Sequence, residues 1–480
     1  MKRMKTLIKH ILLAVPVILA TSCSAWLEEE PTTFISPSSF YQTVEDFDGA
    51  LKGGYPQKQN LNLTEVFADY GDKPESAEQV GDIWANNPGN GFYAFRNAWS
   101  DAYGTIKNMN MILESVEGKD FSPETKDRII GEAKALRAWS YFTLVQLYGD
   151  VPLRDKVVTS DTDIAIDRKP QAEVYAFIFN DIQDAEQKLP EEAQALGRLN
   201  KYIVKAIMAR IYLTSAGFPM NLKENYAKAK EKALEVINSG KYTLMPTFDK
   251  VFKTESYTAE TVWAQLFSAP DSYSGMHMDS APIGSQTALY LPTDAFIASF
   301  SKGDMRKEWG IRPDYVNAKG TKVIGRSYYN KYINEEYLEQ ELPASNTGIL
   351  TWQTQLIRLA EMYLIAAEAE NEINGPANAY SFINAIRKRA RMDQGDPTHV
   401  PDLSGLSQIQ FREAVLLERQ QELYEEGFAW YDLKRTQTFD RVQKARGNRL
   451  NVPVGSYNNT WLIPDTEILN NNIPQNPDYR

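Results

Sequence analysis

The chain has 480 residues, with 52 Lys and Arg against 63 Asp and Glu and a net charge of −11. Such acidity does not fit nucleic acid, whose phosphates call for a basic surface. A single cysteine excludes a disulfide framework, so the core must come from packing alone.

The first element is an export signal. Lys2, Arg3, Lys5 and Lys9 precede an apolar run from Ile11 to Ala20, and Thr21-Ser22 lead into Cys23. That run is too short to span a bilayer, which needs about 20 residues. Small residues ending at a cysteine resemble a bacterial lipobox, with Ala20 where Leu is usual. The expectation is a lipoprotein signal peptide over 1–22 and a lipidated tether over 23–31, with Cys23 carrying the lipid. The alternative is an exported protein with an incidental thiol. Glu28–Glu30 reads either as a solvated spacer or as an acidic signal for the outer cell surface.

From there the chain reads as helix after helix. Apolar residues at Ile129, Ala133, Leu136, Leu144 and Leu147 have helical spacing, and Gly149 and Pro152 stop that helix. The same logic predicts helices over Glu173–Leu189, Lys201–Ser215, Tyr226–Asn238, Gln355–Ile373, Ala377–Ala390 and Arg412–Glu426. Two of the resulting hairpins are compositionally alike and resemble tetratricopeptide packing, although the exact repeat signature is absent. Residues 60–98 and 255–350 lack a sustained period and are rich in aromatic and turn residues. Loops this long are functional or disordered, and their aromatic content argues against disorder.

Catalytic signatures are missing. Of three histidines, His277 and His399 survive signal removal, and no metal-ligand spacing or His-Glu-x-x-His motif occurs. Gly89-x-Gly91-x-x-Ala94 follows Asn86-Asn87-Pro88 rather than a strand, so it is not a dinucleotide fingerprint. Glu418, Glu422, Glu425 and Glu426 crowd one predicted helix near Arg419 and Arg435, a pattern expected of a structural charge network. No catalytic residue, metal or cofactor is expected.

The remaining signal is aromatic: the chain has 9 Trp and 26 Tyr. Most, such as Trp99, Trp139 and Tyr141, lie on helical stripes and read as core. Others fall in the irregular segments. A flat ring suits the C–H face of a pyranose, and neighbouring polar groups suit its hydroxyls. On that chemistry the candidate glycan-binding residues are Trp84, Asn86, Asn87, Tyr93, Tyr273, His277, Tyr290 and Trp309.

Several segments together resemble the SusD/RagB family. They include Gly131-Glu-Ala-Lys-Ala-Leu-Arg137-Ala138-Trp139 through Tyr148-Gly149-Asp150-Val-Pro152-Leu153, and Gly197-Arg198 with Ala209-Arg210-Ile-Tyr212-Leu213. Arg358-Leu-Ala360-Glu361, Glu418-Arg419 with Glu422-Leu423 and Glu426-Gly427, Asp432-Leu433 with Arg435, and the closing Gln475-Asn476-Pro477-Asp478-Tyr479 follow in order. Ala429 departs from the family's frequent Arg. The resemblance implies a mostly α fold: one large helical domain over 32–480, with four tetratricopeptide-like helix hairpins and long irregular loops carrying the ligand site. Its N-terminal part would cover about 32–240 and its C-terminal part about 241–480. The implied role is a non-enzymatic, surface-exposed outer-membrane lipoprotein. It would capture oligosaccharide and deliver it, as a lid, to a SusC-like TonB-dependent transporter. A peptide cargo, an all-helical glycoside hydrolase, and a helical-repeat adaptor without a small ligand remain as alternatives.

Overall fold

The computed structural model describes residues 40–56, 65–73, 84, 86, 93–158, 160, 166–252, 257–266, 291–316, 322–331 and 353–479. Helices dominate. The first are α1 (Val44–Gly54), α2 (Tyr93–Glu117), α3 (Pro123–Tyr148), α4 (Gln171–Lys188), α5 (Lys201–Ala216) and α6 (Asn225–Ile237). After an irregular stretch come α7 (Leu359–Asn374), α8 (Tyr380–Ala390), α9 (Gln408–Leu423), α10 (Ala429–Thr436) and α11 (Asp440–Arg446). Local chemistry sets their ends. The Ser122 hydroxyl accepts the Thr125 N–H at 3.2 Å, Pro123 follows as the first helical residue, and Gly149 closes α3 at φ 77°. Reciprocal capping boxes start α1 at Thr43 with Asp46, and α9 at Ser407 with Gln410.

The helices pack against one another broadly in chain order: α2 on α3, α3 on α4, α5 on α6, α6 on α7, and α7 on both α8 and α9. This is the tetratricopeptide-like scaffold, and small residues stand among the large apolar ones on its buried faces. Ala133, Ala206, Ala209, Ala229, Ala233, Ala366 and Ala369 are buried. At Gly131 a Cβ would meet the Leu189 side chain at 2.8 Å, so α3 and α4 approach through a missing side chain.

The strands are short and pair antiparallel in twos: β1 (Gly71–Asp72) with β5 (Leu291–Pro292), β2 (Val151–Pro152) with β3 (Arg168–Lys169), β4 (Thr261–Leu266) with β8 (Gln353–Arg358), and β6 (Ile311–Val316) with β7 (Lys322–Tyr329). Three sequence expectations are corrected. Gln355–Arg358, read as the start of a helix, is strand β8. There Gln355 pairs with Ala264 and Arg358 with Thr261, and α7 begins only at Leu359. Helix α2 begins at Tyr93, inside the stretch read as irregular. The helix read as ending at Glu426 stops at Leu423, because the chain reverses through Glu425 (φ 59°) and Gly427 (φ 79°).

Candidate functional site

The C-terminal end of α9 is the chemical centre of the molecule. Its carboxylates lie inside a buried ion network. Arg306 bonds Asp304 at 2.7 Å and also Glu418, while Arg387 bonds Glu418 at 2.6 Å. Arg389 bonds Glu260 at 2.9 Å and also Glu422. Arg358 reaches three carboxylates: Glu260 at 2.9 Å, Glu422 at 2.5 Å and Glu426 at 2.7 Å. Lys331 donates to the carbonyl oxygens of Glu422 (3.1 Å) and Tyr424 (2.6 Å) and to Glu426. Burial opposes charge on Glu422, but Arg389, Arg358 and Arg306 outweigh it and hold its pKa down to about 2. A carboxyl so acidic holds no proton at neutral pH and cannot serve as a general acid. Glu418, Glu422 and Glu426 thus form the expected structural network, whereas Arg419 and Arg435 bond Asp432 and Glu368 instead of these carboxylates.

The network roots the irregular segments. Lys331 stands immediately before residues 332–350, and Arg358 closes β8 just after them. Glu65, which follows residues 57–64, is fully buried. Its carboxylate accepts the N–H groups of Gly427 (2.8 Å) and Phe428 (3.1 Å), and the Tyr70 hydroxyl bonds it as well. Burial pushes its pKa up to about 7. Arg446, on α11, is 3% exposed and donates to the carbonyl oxygens of Val66 and Ala68, both at 2.7 Å, and to that of Trp84. No carboxylate bonds it among the described residues, and burial lowers its pKa to about 9.

Three of the predicted glycan-binding residues can be placed with their side chains. Trp84 is 6% exposed, with the Arg446 guanidinium 4.8 Å and that of Arg449 5.1 Å from its ring centroid. Asn86 is buried, donating to the Val452 carbonyl at 2.8 Å and accepting from Asn458 at 2.6 Å. In this conformation neither presents a face to a ligand; both fasten their segment to the C-terminal region. Trp309 is half-buried and stacks on Phe252 at 6.3 Å, in a different neighbourhood from Trp84. Tyr93 opens α2, and its side chain lies outside the described residues, as do Cys23, Asn87, Tyr273, His277 and Tyr290 entirely.

The sequence reading did not single out a concave cavity of about 500 Å³ between α2, α3 and α5 on one side and the α9–α10 turn on the other. Its rings include Tyr55, Trp139, Phe142, Phe428, Tyr431 and Trp461. Arg210 lies 4.7 Å from the Phe428 ring centroid and 5.5 Å from that of Trp139, and bonds Glu361 with two nitrogens at 2.8 and 2.6 Å. Asp432 accepts from Arg419 at 2.8 Å and Arg435 at 2.7 Å. Burial opposes its charge, but the two guanidinium groups keep its pKa below the usual carboxylate value. Apolar walls with a few fixed polar groups are the composition of a small-ligand site. Asp432 and Arg435 stood within quoted motifs, but their meeting with Trp139 and Arg210 depends on folding across distant segments. Among the described residues no group of three or more His, Cys, Asp or Glu could hold a metal ion, and no helix is long and apolar enough to cross a membrane.

Comparison with known proteins gives a consistent family signal. A family model described as the SusD family matches residues 179–478, and one described as starch-binding associating with outer membrane matches residues 25–213. SusD-like protein P25 of Formosa agariphila is 27% identical, over 89% of this chain and 90% of its own. A solved SusD superfamily protein from Parabacteroides distasonis superposes with a TM-score of 0.80 at 23% identity, covering 91% of this chain and 99% of its own. A solved laminarin-binding SusD-like protein gives 0.74 at 21% identity, with 92% and 100% covered.

Proposed function

The chain belongs to the SusD family, and from that premise we propose that it is a cell-surface glycan-binding protein that captures polysaccharide fragments and hands them to a SusC-like TonB-dependent transporter as a lid. The observation that carries the reading is the family match over residues 179–478, with the helical fold of solved relatives around it. The laminarin-binding relative supports a carbohydrate ligand. We read the protein as non-catalytic, which accords with Glu418, Glu422 and Glu426 being bound by Arg and Lys inside the scaffold. Asn87, Tyr93, Tyr273, His277, Tyr290 and Trp309 remain our candidates for the sugar contacts, with Trp84 and Asn86 holding the base of one segment.

A panel of plant, host and microbial polysaccharides, screened by affinity electrophoresis and calorimetry, tests the reading. At least one glycan should bind. Tyr273→Ala should weaken that binding by about 1 kcal/mol, the scale of one aromatic contact, with an unchanged circular dichroism spectrum. Peptide binding with no glycan binding would move the cargo to peptides. New reducing ends on incubation would make the protein a hydrolase.

We also propose that lipid at Cys23, followed by the 23–31 tether, holds the domain on the outer membrane beside its transporter. Cys23→Ala should be exported and then recovered in the soluble fraction. Its full retention in the membrane without the transporter would refute the anchor.

A further inference from the structure

We propose that the cavity between α2, α3, α5 and the α9–α10 turn is an inner binding compartment, apart from the loop-borne candidates, and that it selects an uncharged saccharide. That the occupant is a sugar rests on the glycan-binding reading; that it is uncharged rests on the cavity's own charges. Three arginines border it, and each is matched within the protein: Arg210 by Glu361, Arg435 by Glu368, and Arg419 by Asp432. Glu426, on the same border, is held by Lys331 and Arg358. Among the described residues the remaining charge on the border is the carboxylate of Asp101, on the exposed side of α2. No bordering cation is left over for a uronate or a sulfate ester, and Asp101 repels one. An anion seated here would lose its hydration without gaining a partner, so a glycan that carries charge is rejected.

The lining supplies both halves of what an uncharged sugar ring needs. Tyr55, Phe428 and Tyr431 are half-buried and border the cavity, so ring surface remains for the C–H face of a pyranose. Helix α2 buries Ile106, Met109 and Ile112 in the core and turns Asp101, Gly104, Thr105 and Asn108 to the cavity. Thr105 is half-buried and Asn108 exposed, which leaves a hydroxyl and an amide for ligand hydroxyls. At Gly104 a Cβ would meet nothing within 4 Å, so the space beside α2 is open. The volume of about 500 Å³ falls in the range of small-ligand sites, roughly 300–1,000 Å³, and suits a short saccharide or one end of a longer chain.

The test sorts the polysaccharide panel into an uncharged set (amylose, laminarin and galactomannan among them) and an acidic set (polygalacturonate, alginate and chondroitin sulfate among them). Each is titrated against the detergent-solubilised full chain, and binding is followed by affinity electrophoresis and calorimetry. Gly104 and Asn108 are exposed on α2 at the edge of the cavity, so Gly104→Trp and Asn108→Trp should both fold normally, as circular dichroism would show. Each should fill part of the cavity and weaken the binding of an uncharged glycan at least about tenfold, the loss of two ring contacts. The inference is overturned if no uncharged glycan loses affinity in either variant, or if the glycan that loses affinity is acidic. The two readings fail separately. Glycan binding that both variants leave unchanged sinks only the inner compartment; a wild-type chain that binds no glycan sinks the glycan-binding reading with it.

Discussion

Replacing Arg358 with methionine is expected to destabilise the fold by about 3–5 kcal/mol, the cost of breaking a buried ion pair from one side. Arg358 is 1% exposed and serves Glu260, Glu422 and Glu426 together, so its loss leaves three buried carboxylates short of a partner. It also donates to the Glu422 carbonyl at 2.6 Å, a bond methionine cannot make. Arg358→Lys should fall between wild type and Arg358→Met, because a single ammonium cannot span carboxylates that a planar fork reaches. Urea unfolding of the three proteins measures the series. A loss below about 1 kcal/mol for Arg358→Met would show that the network relaxes around the gap, and the hub described above would then be incidental.

The second large effect is a pH dependence set by Glu65. Burial raises its folded pKa from the usual carboxyl value of 4.5 to about 7. A raised folded pKa means that the folded state binds the proton more tightly than the unfolded chain does. The contribution is therefore complete below about pH 4.5 and fades as pH rises through 7. At about 1.4 kcal/mol per pK unit, the swing is roughly 3 kcal/mol. Glu65→Gln keeps an oxygen that can accept from the Gly427 and Phe428 N–H groups and has no charge to bury. The variant should lose that slope and gain on wild type above pH 7. Unfolding free energies measured from pH 4.5 to 8 decide it, and parallel curves for the two proteins would refute the assignment.

The scaffold was legible because helix stripes are local. The periodic residues from Ile129 to Leu147, with Gly149 after them, mark most of α3 and its end, although Ser122 and Pro123 start it a turn and a half earlier. Strand β8 was missed for the opposite reason. Leu356 and Ile357 extend the apolar stripe of α7, and only pairing with Ala264 and Trp263, about ninety positions away, holds Gln353–Arg358 extended. The glycan candidates rested on side-chain chemistry, which does not say which way a ring faces. Trp84 carries the composition of a sugar platform, yet Arg446 on α11 draws it inward. Nothing near Trp84 in sequence announces that contact. The inner cavity was hidden in the same way. Trp139 reads as core on α3, and its place on the cavity wall becomes visible only once Arg210, which also lies over Phe428, is brought against it.

The ion hub has a consequence for how such a protein changes over generations. In the chain, Lys331 precedes the stretch 332–350 and Arg358 follows it, and both place their charge on scaffold carboxylates, Lys331 on Glu426 and Arg358 on Glu260, Glu422 and Glu426. A lineage can therefore rewrite that stretch, residue by residue or by wholesale exchange, without disturbing the charges that keep the helices in register. Recognition becomes a trait that drifts or is selected separately from foldability. A relative's segment grafted between these two anchors would inherit a finished foundation.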